Sequence, residues 1–143
     1  MLIGEFNHTL DNKGRVIVPS RFREELQDRF IITRGLDSCL FAYPMEEWNN
    51  LERKLKTMPF TRAEARVFMR LFFSGASEVE LDKQGRILIP PILREHAELN
   101  KEVTFIGVSN RAEIWSKEKW EEYSNKSNLS YEQVAEKMID FEF

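Results

Sequence analysis

Residues 10–23 read LDNKGRVIVPSRFR, and 71 positions later residues 81–94 read LDKQGRILIPPILR. Six of the fourteen positions are identical: Leu10/Leu81, Asp11/Asp82, Gly14/Gly85, Arg15/Arg86, Pro19/Pro90 and Arg23/Arg94. At 16–18 against 87–89, one aliphatic residue replaces another. After a one-residue slip, Gly35 corresponds to Gly107, Tyr43 to Trp115 and Trp48 to Trp120, so the duplication covers residues 5–48 and 76–120. A unit of this length present twice does not make a solenoid, which stacks three or more short units to bury a continuous core. Two copies predict an internal pseudo-dimer.

Within each copy the pattern predicts strand, turn, strand, helix, strand, turn, strand. In FNHTL the alternation sets Phe6, His8 and Leu10 on one face and Asn7 and Thr9 on the other. RVIVP and RILIP are unbroken aliphatic runs, the pattern of strands covered on both faces. Pro19 and Pro90 end them, because proline cannot donate to a ladder. Helices are expected in RFREELQDRF, capped by Ser20, and in ILREHAEL, started by Pro90 and Pro91. FIIT and VTFI form the third strands, CLFAY and AEIW the fourth, with Gly35 and Asn110 in the turns between them.

Between the copies, PMEEWNNLERKLKTM puts Met45, Trp48, Leu51, Leu55 and Met58 on one helical stripe. Pro59 breaks it, and Thr61 with Glu64 forms a capping-box signature opening RAEARVFMRLFF. VFMRLFF is apolar on nearly every side, which predicts burial in the core or at a subunit contact. A second capping box, Ser130 with Gln133, precedes a last helix with Val134, Met138 and Phe141 on one stripe. The expected division is a first repeat at 5–48, a connecting helical hairpin at 49–75, a second repeat at 76–120 and a helical tail at 121–143.

With 42% hydrophobic and 31% charged residues in 143, the chain has the balance of a globular protein and not of a disordered one. No apolar run is long enough to span a bilayer, and MLIGEFNHTL lacks the basic head and apolar body of a signal peptide. One cysteine, Cys39, forms no internal disulfide, which fits a reducing cytoplasm. The net charge of −3 weighs against a polyanionic partner, but the acidity is uneven. Residues 112–143 hold four lysines and eight acidic groups, leaving 17 basic against 16 acidic groups elsewhere. A basic surface is expected only as a patch.

In Asp11-Asn12-Lys13-Gly14-Arg15 three residues separate the charged pair, and the third is glycine. A three-residue hairpin loop combines a type I turn with a left-handed residue, which glycine adopts without strain. Asp11 and Arg15, like Asp82 and Arg86, are then expected opposite each other at the ends of two paired strands. Two outcomes stay open. In one, the pair only clips a hairpin, worth roughly 0.2–1 kcal/mol. In the other, the aspartate holds the guanidinium in one pose for a phosphate or a guanine edge. Lys13 then reaches the nucleic-acid backbone from the loop tip, with Arg21, Arg23 and Arg34 following. The resulting DNA-binding set is Asp11, Lys13, Gly14, Arg15, Arg21, Arg23, Asp82, Lys83 and Arg86, with Arg94 available in copy two. Lys13 and the denser arginines make copy one the stronger half.

The segments GEFNHTLDNKGRVIVPSRFR, FSGASEVELDKQGRILIPPILR and FIGVSNRAEIWS closely resemble the MraZ family of bacterial transcription regulators, encoded at the head of the division and cell-wall gene cluster. The likeness covers nearly the whole chain and is weakest over 121–143. It implies an α+β fold of two tandem swapped-hairpin, AbrB-like repeats forming an intramolecular pseudo-dimeric β-barrel, with flanking helices. It also implies a cytoplasmic, nucleoid-associated repressor that binds double-stranded promoter DNA as a ring-type homo-oligomer and represses its own operon. A head-to-tail ring of protomers with unequal halves presents the same turn at regular intervals, which predicts direct repeats about one helical turn apart. No cofactor, metal ion, membrane or small-molecule substrate enters this expectation.

Two other functional classes fit the residues less well. His8 and His96 fall at unrelated places in the two copies, and Cys39 sits in an apolar segment. No P-loop, GxSxG, HExxH or paired-cysteine spacing occurs, so an enzyme is not expected. The remaining alternative is a structural or protein-interaction scaffold using the exposed part of FMRLFF and the acidic tail.

Overall fold

In a computed structural model, which describes residues 1–125 and 130–138, both copies form the same series of elements. The first has β1 (Glu5–Thr9), β2 (Arg15–Ile17), α1 (Ser20–Leu26), β3 (Arg29–Arg34), β4 (Leu40–Pro44) and α2 (Met45–Leu55), followed by α3 (Ala63–Ser74). The second has β5 (Ser77–Glu80), β6 (Arg86–Leu88), α4 (Pro91–His96), β7 (Glu102–Gly107), β8 (Ala112–Ser116) and α5 (Lys117–Asn125), followed by α6 (Tyr131–Lys137). The result is a mixed α+β fold built on antiparallel strands.

Pairing crosses between the copies. Six strands form one sheet in the order β1-β7-β8-β4-β3-β5, while β2 and β6 form a separate ribbon. β1 lies on β7, with Phe6 opposite Phe105, and β5 lies on β3, with Val79 opposite Phe30. Each copy's first strand therefore completes the other copy's part of the sheet. The register exposes a two-fold relation. In the ribbon, Val16 pairs with its own counterpart Ile87, flanked by Arg15–Leu88 and Ile17–Arg86. At the sheet centre, Phe41 pairs with its counterpart Glu113, flanked by Leu40–Ile114 and Ala42–Ala112. The ladder is open at β1 and β5, so the strands make a sheet and a ribbon and do not close into one barrel.

The sheet is covered on both faces. On one, the ribbon's inner residues Val16, Val18, Ile87 and Ile89 meet Phe22, Leu93 and the sheet's Phe30, Phe105 and Ile114. On the other, Tyr43, Trp48, Phe72 and Trp115 form a second cluster, with α2 and α3 residues packed against it. Doubly covered strands are thus β3, β4, β7 and β8, each with four successive buried residues. The ribbon, expected to be covered on both faces, is covered on one: Ile17 and Leu88 are 40% and 55% exposed. In the ribbon register its outward aliphatics stand opposite arginines.

Other expectations shift at element ends. Ser20 and Thr61 cap nothing: Pro19 and Arg62 hold those N-cap positions without a side-chain bond. The Ser130–Gln133 capping box forms as expected. Val134 and Met138 are exposed, and Phe141 lies outside the described residues. Gly107 ends β7 where Arg34, not Gly35, ends β3. Leu2 and Ile3 cross directly over Gly107, where a Cβ would come 2.4 Å from the Ile3 nitrogen. Left-handed backbone in the β3–β4 and β7–β8 turns falls to Asp37, Ser38 and Ser109 rather than to Gly35 and Asn110. α3 buries Ala65 and Phe72 but leaves Val67 and Leu71 half exposed, so it packs by one face only. Among the described residues no helix is long and apolar enough to cross a membrane.

Neither copy contains the partner of its own first two strands. A fragment of residues 1–75 is therefore expected to be unfolded, or to pair into a homodimer that rebuilds the exchange, as read by circular dichroism and sedimentation. A folded monomeric fragment contradicts this topology.

Candidate nucleic-acid interface

Each turn is closed by its aspartate. The Asp11 N–H donates to Arg15 O at 2.9 Å and the Gly14 N–H to Asp11 O at 3.0 Å. Asp11 Oδ1 accepts the N–H groups of Lys13 and Arg15 at 2.9 and 2.8 Å, and Oδ2 accepts Arg15 Nε–H at 2.7 Å. The second turn repeats this: Asp82 Oδ1 accepts from the Gln84 and Arg86 amides, both at 2.9 Å, and Oδ2 from Arg86 Nε at 2.8 Å. Gly14 and Gly85 take left-handed backbone, with φ of +85° and +78°, as the turn demands. The amide of Arg15 is the main influence holding the Asp11 carboxyl down from 3.8 to about 2. The Arg86 amide does the same to Asp82, which also lies below its ordinary value.

The carboxylate thus clips the turn and braces the arginine at once. It engages only Nε, which leaves each guanidinium the four N–H donors of its two Nη groups. The expected hairpin is not what surrounds this pair. β1 leaves for β7 and β2 for β6, so Asp11 and Arg15 meet within the turn and not across two paired strands. Across the ribbon, Arg15 faces Leu88 and Arg86 faces Ile17.

The ribbon's outer face therefore carries Arg15, Ile17, Arg86 and Leu88. Arg15 and Arg86 are diagonal neighbours there, a relation that places backbones about 7–8 Å apart. Val18 N–H to Gly85 O and Ile89 N–H to Gly14 O, both 2.9 Å, extend the ribbon at its ends. From Gly14 to Val18 the strip spans about 13 Å. A B-DNA major groove, about 12 Å wide, admits a two-stranded β-ribbon. Lys13 and Lys83 are exposed at the turn tips.

Of the nine residues expected from sequence, Asp11, Lys13, Gly14, Arg15, Asp82, Lys83 and Arg86 gather on this ribbon and its turns. Arg21 is exposed on α1, where copy two has exposed Ile92. Arg23 lies against the other copy's turn: its Nε donates to Val18 O at 2.9 Å, and its guanidinium covers Gly85. Arg34 reaches Leu71 O and Ser74 at the end of α3. Sequence reasoning missed the outward Ile17 and Leu88; their only trace was an aliphatic residue two places after each repeated arginine.

The other chemically suggestive groups are inert or packed. Cys39 is fully buried, its Sγ donates to Leu36 O at 3.1 Å, and burial pushes the thiol well above its ordinary range, so it stays protonated at neutral pH. His8 stands edge-on to Phe105, its pKa lowered by burial and then by the charge of Arg23. Among the described residues no group of three or more His, Cys, Asp and Glu is placed to hold a metal ion.

Because folding lowers the Asp11 pKa, its bonds contribute stability above pH 3.8 and lose it as the pH falls through about 2. The Asp11 carboxyl carbon is expected to titrate at about 2 by NMR, with faster exchange of the Lys13 and Arg15 amides over the same interval. A titration at the ordinary 3.8 contradicts the turn geometry.

The family model described as "MraZ protein, putative antitoxin-like" matches the chain twice, over residues 1–71 and 72–142. The Transcriptional regulator MraZ of Moorella thermoacetica is 60% identical over 142 residues, covering 99% of each chain. Its namesake in Thermoanaerobacter sp. is 61% identical over 140 residues, 98% of each chain. The one in Desulforamulus reducens is 61% identical over 140 residues, 98% of this chain and 99% of its own. With two repeats matched end to end and relatives this similar over their whole length, the chain belongs to the MraZ family.

Proposed function

We propose that this chain is a sequence-specific DNA-binding transcriptional repressor that sets its β2–β6 ribbon into the major groove of promoter DNA. One observation carries this: two arginines, each braced by a carboxylate, share the exposed face of a two-stranded ribbon. A guanidinium already held in place loses less freedom on contact, and its Nη pair suits guanine O6 and N7 or a phosphate. Lys13, Lys83 and Arg21 flank it as charges for the phosphates, which position without reading sequence. Asp11, Gly14 and Asp82 serve by shaping the turns. Relatives named as transcriptional regulators support the same role. Since Arg15 and Arg86 lie on one face, both copies contribute to the contact surface in this reading.

A two-fold ribbon cannot tell which way a site runs. Lys13 against Gln84, and Arg21 against Ile92, break that symmetry and give each site an orientation. The target is then a set of direct repeats in the chain's own promoter, ahead of the division and cell-wall cluster, met by a head-to-tail ring of copies at the nucleoid. The exchange of β1 and β5 is how we read the swapped-hairpin, AbrB-like arrangement. Assembly has candidate surfaces. α3 covers Trp48 with Phe72 and Phe73, at centroid separations of 5.6 and 5.7 Å. The counterpart Trp120 instead lines an open groove with Tyr123, Asp37 and Glu122, fringed by α6. The outward face of α3, with Val67, Leu71 and nearby Arg66 and Arg70 exposed, matches that aromatic and acidic lining on the next copy.

Fluorescence anisotropy on DNA from upstream of the chain's own gene tests this at several salt concentrations. Affinity should fall with salt by a logarithmic slope of about −0.9 per phosphate contacted. Arg15→Ala and Arg86→Ala should each weaken binding by about 10–100-fold, the worth of one bidentate base contact, with thermal unfolding near that of the parent. Retained binding with a large loss of stability would leave the aspartate–arginine pair a structural clip only.

Orientation gives a second test on the same DNA. Reversing one repeat should lower affinity for the promoter, and unchanged affinity contradicts direct-repeat recognition.

A further inference from the structure

We infer that Arg23 and Arg94 are positioning residues, each setting the DNA-facing turn of the opposite copy without gripping the duplex itself. On sequence both look like further phosphate contacts, and the inference rests on the DNA-binding role proposed for the ribbon. Each guanidinium is committed at two points. Arg94 Nε donates to Ile89 O at 2.9 Å, and the same Ile89 donates its N–H to Gly14 O at 2.9 Å. The guanidinium then lies over Gly14 so closely that an added Cβ would sit 2.7 Å from its Cζ. Arg94, Ile89 and Gly14 thus close a small circuit that ties the first turn to the second copy.

Arg23 closes the mirror circuit. Its Nε donates to Val18 O at 2.9 Å, Val18 N–H donates to Gly85 O at 2.9 Å, and a Cβ on Gly85 would come 2.4 Å from its Cζ. The glycines are therefore required twice over, for the left-handed turn and for the flat cation resting on it. A lysine cannot take this place, since its ammonium is neither planar nor equipped with an Nε–H in the stem. Two reciprocal latches fix the first turn and the second relative to each other. Arg15 and Arg86 are thereby presented as a pair.

The test compares Arg94→Lys and Arg23→Lys with the parent chain by two readouts. The first is hydrogen exchange without DNA. Arg94→Lys should accelerate exchange at Lys13, Gly14 and Arg15, and Arg23→Lys at Gln84, Gly85 and Arg86. Changes confined to each variant's own helix overturn the inference. The second is the salt dependence of binding to the upstream promoter DNA. Each variant should bind about tenfold or more weakly, the scale of a lost hydrogen bond to a charged group, with the salt slope unchanged. In Arg94→Gln and Arg23→Gln, which remove the charge that lysine keeps, a slope shallower by about 0.9, the mark of one phosphate contact, overturns positioning in favour of contact, and so does full affinity in the lysine variants. If the parent chain binds no upstream DNA, the proposed function fails, while the exchange readout still decides the latch.

Discussion

When two equivalent strands pair antiparallel about a two-fold, the central residue meets its own counterpart, and each residue beside it meets the counterpart of the residue equally far on the other side. The pairing of Val16 with Ile87 imposes this on the whole exposed ribbon. Two arginines 71 positions apart become diagonal neighbours, and two aliphatics fill the alternate corners. Nothing within a single copy produces that surface. It depends on the exchange that sends β1 to β7 and β5 to β3, since those pairings hold the turns at the places where β2 and β6 can meet.

Local and long-range interactions then divide the work. Within each turn one carboxylate satisfies two backbone amides and one guanidinium nitrogen, so the loop conformation and the arginine pose are a single property. Between turns, the Val18 and Ile89 amides donate to Gly85 and Gly14 of the other copy, while their carbonyls hold Arg23 and Arg94 over those same glycines. Beneath them Val16, Val18, Ile87 and Ile89 are almost wholly buried. Burying each such side chain contributes about 1.5–3 kcal/mol, so the face that meets solvent stands on a base that resists deformation. A rigid, preset cationic face is what selective contact with a regular polyanion requires.

Much of this was legible in the residues, and the misses have physical causes. The repeat announced the two-fold, and Asp-x-x-Gly-Arg announced a left-handed glycine beside a braced arginine. Strand order and type followed from the apolar runs. What alternation and turn chemistry do not encode is which strand a given strand chooses: β1 and β2 look like a hairpin because a tight turn joins them, yet each pairs with a strand of the other copy. Arg23 shows the same blindness for the site. A helix arginine next to a DNA-binding motif reads as a contact, and only the opposing Gly85, 62 positions away in the chain but adjacent in space, shows what it touches. α3 buries one face, with Ala65 and Phe72, while Val67 and Leu71 on the other stay half exposed, because a segment apolar on nearly every side does not encode which face the chain itself covers.

The central claim, that the braced arginine pair on the ribbon reads the floor of the major groove, is tested most directly by methylation interference on the upstream promoter DNA. Methyl groups on guanine N7 project into the major groove, and methyl groups on adenine N3 into the minor groove. Loss of binding confined to N7-methylated guanines, recurring at the same place in each repeat, is the predicted result. Interference from adenine N3 alone, with N7 methylation tolerated, would contradict it.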